Sequence, residues 1–131
     1  MKTVLFACTH NAGRSQMAAG FFNALADRAM ARAESAGTAP GERVHPEVLV
    51  AMQEEGIDLS AVKPRKLTPE LAERADMLVT MGCEEACPVV PGLVPIDWPL
   101  PDPKGQPIEK VREIRDEIRR LVSELIDEKG W

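Results

Sequence analysis

Short continuous apolar runs along this chain take turns with stretches whose apolar residues recur at a helical spacing of about 3.6 residues. Residues 2–7 form a short apolar, β-branched run that predicts a strand. From 15 to 31, Met17, Ala18, Phe21, Phe22, Leu25 and Ala29 recur at helical spacing, so a helix follows the intervening loop. Residues 32–38 read as a short strand ending in a glycine turn. Residues 46–55 read as a helix with Val48, Leu49 and Met52 inward and Gly56 as its stop. Thr68-Pro-Glu-Leu71 has the form of an N-cap with proline in the first turn and opens a further short helix. Residues 76–81 are a third apolar strand, and a brief one is expected at 93–96 after a proline-rich stretch. Ile108, Val111, Ile114, Ile118, Leu121, Val122 and Leu125 close the chain as an amphipathic helix whose Glu, Arg and Lys face reads as solvated surface.

Strands alternating with helices imply an α/β fold, a parallel sheet covered on both faces. Ligands of such sheets sit at the carboxyl ends of the strands. Cys8, Cys83 and Asp102 each follow a predicted strand, so one rim of the sheet can gather all three. At 131 residues, with no internal repeat or linker, residues 1–131 form one domain with a core large enough to stand without staples.

The net charge of −5 argues against nucleic acid or an anionic membrane as a general partner, so any anion must be captured by a local pocket. No apolar run is long enough for a membrane span, and the N-terminal run turns polar at Thr9-His10-Asn11, too soon for a signal peptide. The chain is therefore expected in the cytoplasm, as a monomer. Its three cysteines, Cys8, Cys83 and Cys87, are an odd count for a disulfide framework and read better as catalytic, redox or metal residues.

The stretch Cys8-Thr9-His10-Asn11-Ala12-Gly13-Arg14-Ser15 carries the most chemistry. A loop of that length can curl so that successive backbone N–H groups point inward as a nest for a tetrahedral oxyanion. Arg14 adds a planar bidentate donor, and the helix starting near Ser15 aims its positive end at the same point. Such surroundings favour the thiolate, the attacking form of a cysteine. Gly13 suits a position of unusual φ, Asn11 tolerates left-handed geometry and ties the loop through its amide, and Ser15 can donate its hydroxyl to the sulfur. A Cys-x5-Arg spacing alone arises often by chance. A strand before it, a helix after it, and Asn and Ser within it make it specific.

This stretch after an N-terminal strand, with Asp102-Pro103 about ninety residues on, resembles the low-molecular-weight protein tyrosine phosphatases. Within that fold the match is to the arsenate reductases that use a relay of three cysteines, and it covers essentially the whole chain. The resemblance implies a three-layer, four-stranded parallel sheet with helices on both faces. It also implies Cys8 as nucleophile, Arg14 and the loop amides as oxyanion binders, Asp102 as the acid, and no cofactor. Two loop positions depart from the family, which often has glycine where His10 stands and a second cysteine where Gly13 stands. Some relatives hold a potassium ion with an acidic residue early in the first helix. Ala19 and Gly20 occupy that area here, so the ion is not carried over.

The choice between phosphatase and reductase turns on Gly82-Cys83-Glu-Glu-Ala-Cys87-Pro88. Spacing of i, i+4 puts both sulfurs on one face of a helical turn, and the flanking glycine and proline suit a segment able to unwind. In a relay, Cys83 attacks Cys8 to release arsenite, and Cys87 then attacks Cys83 and carries the disulfide outward to an external reductant. Packing cysteines are the plain alternative, and the lack of a well-spaced histidine argues against zinc. A phosphatase would need an aromatic wall, yet there is no tyrosine, and Lys104-Gly105-Gln106 follow Asp102-Pro103 where the family commonly pairs tyrosines. A non-catalytic oxyanion or thiol sensor is the remaining class, and the Cys8, Arg14 and Asp102 set argues against it. Thioredoxin is the reductant the family pattern suggests. The short Cys83–Cys87 spacing leaves a glutaredoxin-like protein open. His45 and Trp98 read as structural, Trp98 as an anchor for the acid loop.

Overall fold

The computed structural model describes residues 1–81 and 95–131. Strand β1 (Lys2–Cys8) is central, flanked by β2 (Ala31–Gly37) and β3 (Met77–Thr80), with the two-residue β4 (Ile96–Asp97) beyond β3. The four strands run parallel in the order β2-β1-β3-β4. Residues buried on both faces explain why β1 reads as continuous apolar sequence rather than alternation. Val4, Phe6 and Cys8 point into the larger core and Leu5 and Ala7 into the smaller one.

Helices α1 (Arg14–Leu25), α2 (Pro46–Gln53) and α4 (Ile108–Lys129) supply the larger core through Met17, Phe22, Val48, Met52, Val111, Ile118 and Val122. Helix α3 (Pro69–Arg74) covers the other face with Leu71 and Ala72, which gives three layers. Thr68 caps α3, its Oγ1 accepting from Leu71 N at 3.3 Å as the sequence pattern predicts. Among the described residues no helix is long and apolar enough to cross a membrane. The register pairs Cys8 with Gly37, and Met81 N donates to Ala7 O at 2.8 Å, so the ends of β1, β2 and β3 lie on one rim.

Two expectations need correction. Helix α1 stops at Leu25, short of residue 31, and Ala29 is not in it. Asp27 ends the run: its carboxylate accepts from Ala29 N at 2.9 Å and its carbonyl from Met30 N and Ala31 N, a local turn that competes with helix. Residue 31 already pairs with Lys2 to begin β2.

The charged face of α4 is not wholly solvated either. Arg115 is buried, and its Nη1 donates to Ala51 O at 3.0 Å and to Glu54 Oε1 at 2.7 Å, closing the C-terminal end of α2. Hydrogen bonds from Arg112 and Arg115 pull the Glu54 carboxyl down to about 2. Its contribution to stability is therefore present above the ordinary carboxylate range and is lost as pH falls toward that value. The expected strand at 93–96 appears as β4, one residue of that range lying within it. Leu93 and Val94 lie outside the described residues.

Candidate active site

The loop between β1 and α1 is shaped by where its carbonyls go. Thr38 N donates to Cys8 O, Ala39 N to Thr9 O, Gly41 N to His10 O and His45 N to Ala12 O, at 3.2, 2.8, 2.9 and 2.9 Å. Gln16 Nε2 donates to Asn11 O at 3.1 Å and Met17 N to Gly13 O at 3.0 Å. Every carbonyl from Cys8 to Gly13 thus has a donor outside the loop's concave side. A loop whose carbonyls all turn outward presents its N–H groups inward, the form of an anion nest. The start of α1 adds its positive end to the same concavity.

Cys8 sits at the floor, 2 % exposed, with Asn11 N donating to its sulfur at 3.3 Å and Ser15 Oγ 2.8 Å away. The direction of the second bond follows from its neighbours. Arg65 N donates to the Asn11 side chain at 3.0 Å, and a backbone N–H can only face Oδ1. Asn11 Nδ2 must then be the atom 2.7 Å from Ser15 Oγ, so Ser15 accepts there and its own proton is free to point at the sulfur. Asn11 adopts φ 50°, the left-handed conformation expected for it.

Arg14 is 7 % exposed and held by Nη1 donating to Leu100 O at 3.0 Å. Its Nη2 lies 3.9 Å from Asp102 Oδ2. The Asp102-Pro103 loop therefore leans on the Arg14 guanidinium, the group expected from the sequence to engage an oxyanion. Lys104 N donates to Asp102 Oδ1 at 3.0 Å and fixes the carboxyl at the mouth. Trp98 is buried with its ring 5.7 Å from Phe6, anchoring this loop to the core.

Glycine at 13 answers a different need from the one expected. Its φ is −144°, not left-handed; a Cβ there would lie 2.7 Å from Pro103 Cγ, so glycine leaves room for the Asp102-Pro103 loop to approach this closely. His45 is nearer the chemistry than its position before a proline suggested. Its ring approaches the same point, 3.5 Å from that Cβ position, and burial pushes its imidazole below the ordinary value while Asp102 opposes the shift.

Cys8, Asn11, Arg14, Ser15 and Asp102 are thus brought together, and Thr9, His10, Ala12 and Gly13 form the loop between them. Cys83 and Cys87 lie outside the described residues. Among the described residues no three His, Cys, Asp or Glu side chains group as a metal site. Gln16, Gly37 and the backbone of Arg65 were not foreseen. Gly37 had a signal, a glycine ending the strand beside the loop. A Cβ on it would meet Thr9 O at 2.6 Å and Asn11 N at 2.8 Å, both backbone atoms. Gly37→Ala is expected to cost about 1–3 kcal/mol, read as a lower midpoint in urea.

A nest of this kind recognises shape and charge, so phosphate and sulfate should raise the melting temperature by mass action. Arg14→Lys should largely remove that rise, because a point charge does not replace a bidentate fork. Thermal scans against phosphate concentration measure both.

The family described as low molecular weight phosphotyrosine protein phosphatase matches residues 3–129. A provisionally named arsenate reductase of Halobacterium salinarum is 41% identical over 131 residues, covering 94% of this chain and 89% of that protein. A glutaredoxin arsenate reductase of Synechocystis is 36% identical, covering 96% of this chain and 97% of its own. The solved thioredoxin-dependent arsenate reductase of Corynebacterium glutamicum superposes with a TM-score of 0.84 at 37% identity. It matches 98% of this chain, which spans 61% of that longer protein.

Proposed function

This chain belongs to the low molecular weight phosphotyrosine protein phosphatase family, and we propose that it uses that fold to reduce arsenate to arsenite. The observation that carries the reading is the buried Cys8 sulfur, hydrogen-bonded by Asn11 N and Ser15 Oγ at the floor of a loop with every carbonyl turned outward. Such a site holds a tetrahedral oxyanion with its central atom above a nucleophile. The names of the relatives favour arsenate over a phosphate ester.

In the proposed cycle the Cys8 thiolate attacks arsenic, a sulfur–arsenic bond forms, and one oxygen leaves as water with a proton from Asp102. The Cys83 thiolate then attacks Cys8 Sγ. The sulfur–arsenic bond breaks, its electron pair stays on arsenic, and arsenite leaves a Cys8–Cys83 disulfide. Cys87 attacks Cys83, frees the Cys8 thiolate and leaves Cys83–Cys87 for an external dithiol protein of the thioredoxin type. The described chain supports this order at one point. Met81, hydrogen-bonded to Ala7, is only two residues of sequence before Cys83.

Asp102→Asn should lower kcat by roughly a hundredfold or more, the scale of losing a positioned general acid. Phosphate affinity should change far less, since the nest is intact. The test of the reading is arsenate-dependent NADPH oxidation, run with a thioredoxin system and separately with a glutaredoxin and small-thiol system. Turnover of an aryl phosphate without any thiol, and no oxidation of NADPH in either arm, would make it a phosphatase.

A further inference from the structure

Gln16 has no part in the proposed cycle, yet it is 3 % exposed at the start of α1 and both of its amide protons are spent on one residue. Its Nε2 donates to Asn11 O at 3.1 Å and to Asn11 Oδ1 at 3.1 Å. The assignment of that nitrogen is secure because a backbone carbonyl only accepts. Asn11 Oδ1 also accepts from Arg65 N at 3.0 Å, which leaves Asn11 Nδ2 directed at Ser15 Oγ. Asn11 is fully buried and left-handed, so its conformation must be held by its surroundings. Gln16 does this as a two-point clamp.

We infer that Gln16 is a positioning residue for the Cys8 thiolate, acting through Asn11 and Ser15. The chain of consequence is directional. With Gln16 in place, Asn11 Nδ2 occupies one lone pair of Ser15 Oγ, and the hydroxyl proton has the sulfur as its acceptor. Without the clamp, two buried acceptors on Asn11 lose a donor, Arg65 N is left to hold Asn11 Oδ1 without Gln16, and the Ser15 proton is aimed less firmly at the sulfur. Gln16 does not touch the sulfur, and it meets the nest loop from its outer side, at Asn11 O and Oδ1. It borders a cavity of about 560 Å³ on its other side, between α1, β2 and residues 56–65, so a side chain of similar length has room to settle.

The inference rests on Cys8 as the nucleophile, so its test avoids arsenate. Alkylation of Cys8 by iodoacetamide is followed in the Cys83→Ser/Cys87→Ser chain, where Cys8 is the sole thiol. Gln16→Met should react about tenfold more slowly at pH 7, the scale of one lost hydrogen bond to an ion. The gap should close near pH 10, where a cysteine of ordinary acidity, about 8.5, is ionised without help. In a Ser15→Ala background Gln16→Met should add less than about twofold, because the two act in one chain. Should Gln16→Met not fold, Gln16→Glu reads the same quantity, since its carboxylate faces two acceptors and opens the clamp. A Gln16 variant that reacts as fast as its parent at pH 7, or whose effect is undiminished at pH 10 or in the Ser15→Ala chain, overturns the inference. If the parent itself reacts slowly at pH 7, Cys8 as an activated nucleophile fails, and the inference with it.

Discussion

Cys8→Ser is expected to abolish arsenite formation, a loss of at least about four orders of magnitude, while the fold and phosphate binding persist. The sulfur is the atom that attacks and the atom that Cys83 later attacks, and a hydroxyl performs neither step. It does not ionise near neutral pH even in a nest that favours anions, and oxygen forms no disulfide. The fold is spared because Cys8 is a strand residue whose pairing with Gly37 is made by the backbone. Asn11 N and Ser15 Oγ can still hydrogen-bond a hydroxyl in place of the sulfur. Arsenite production by quench and speciation measures the loss, and a phosphate-dependent rise in melting temperature shows that the pocket survives. Arsenite formed at a measurable rate by the variant removes Cys8 from its role.

Cys87→Ser divides the cycle at a different point. The first attack and the discharge by Cys83 need only Cys8 and Cys83, so the variant should release about one arsenite per chain and stop as a Cys8–Cys83 disulfide. Cys83→Ser should give almost none, because the arsenic adduct is not discharged. Peptide mass mapping after thiol trapping identifies the bridged pair. Wild-type turnover by Cys87→Ser with a thioredoxin system would mean that the disulfide does not need to move outward.

The strands and the chemistry of the loop were legible in sequence for a common reason: both are local. Continuous apolar runs place β1 and β3, and Cys8, Asn11, Arg14 and Ser15 lie within eight consecutive residues. What was missed is what comes from elsewhere in the chain. Four of the six loop carbonyls are received by residues 38–45, and Asn11 is held by Arg65 N, 54 residues away, neither of which has a sequence pattern. Periodicity overran α1 because a single aspartate, Asp27, ends it through a turn that hydrophobic spacing does not register. It called the polar face of α4 solvated because charge reads as exposure, whereas Arg115 is buried against the end of α2. Gly13 was foreseen as a glycine but for the wrong reason, since the constraint is the approach of Pro103 in space and not its own φ.

The most direct test of the account is a single turnover by the wild-type chain, fully reduced and then freed of all external thiol. On mixing with arsenate it should form one arsenite per chain while its free thiols fall from three to one, the two electrons coming from a new Cys83–Cys87 disulfide. No arsenite until an external thiol is added, with all three cysteines still free, would contradict the relay and leave reduction to a thiol from outside.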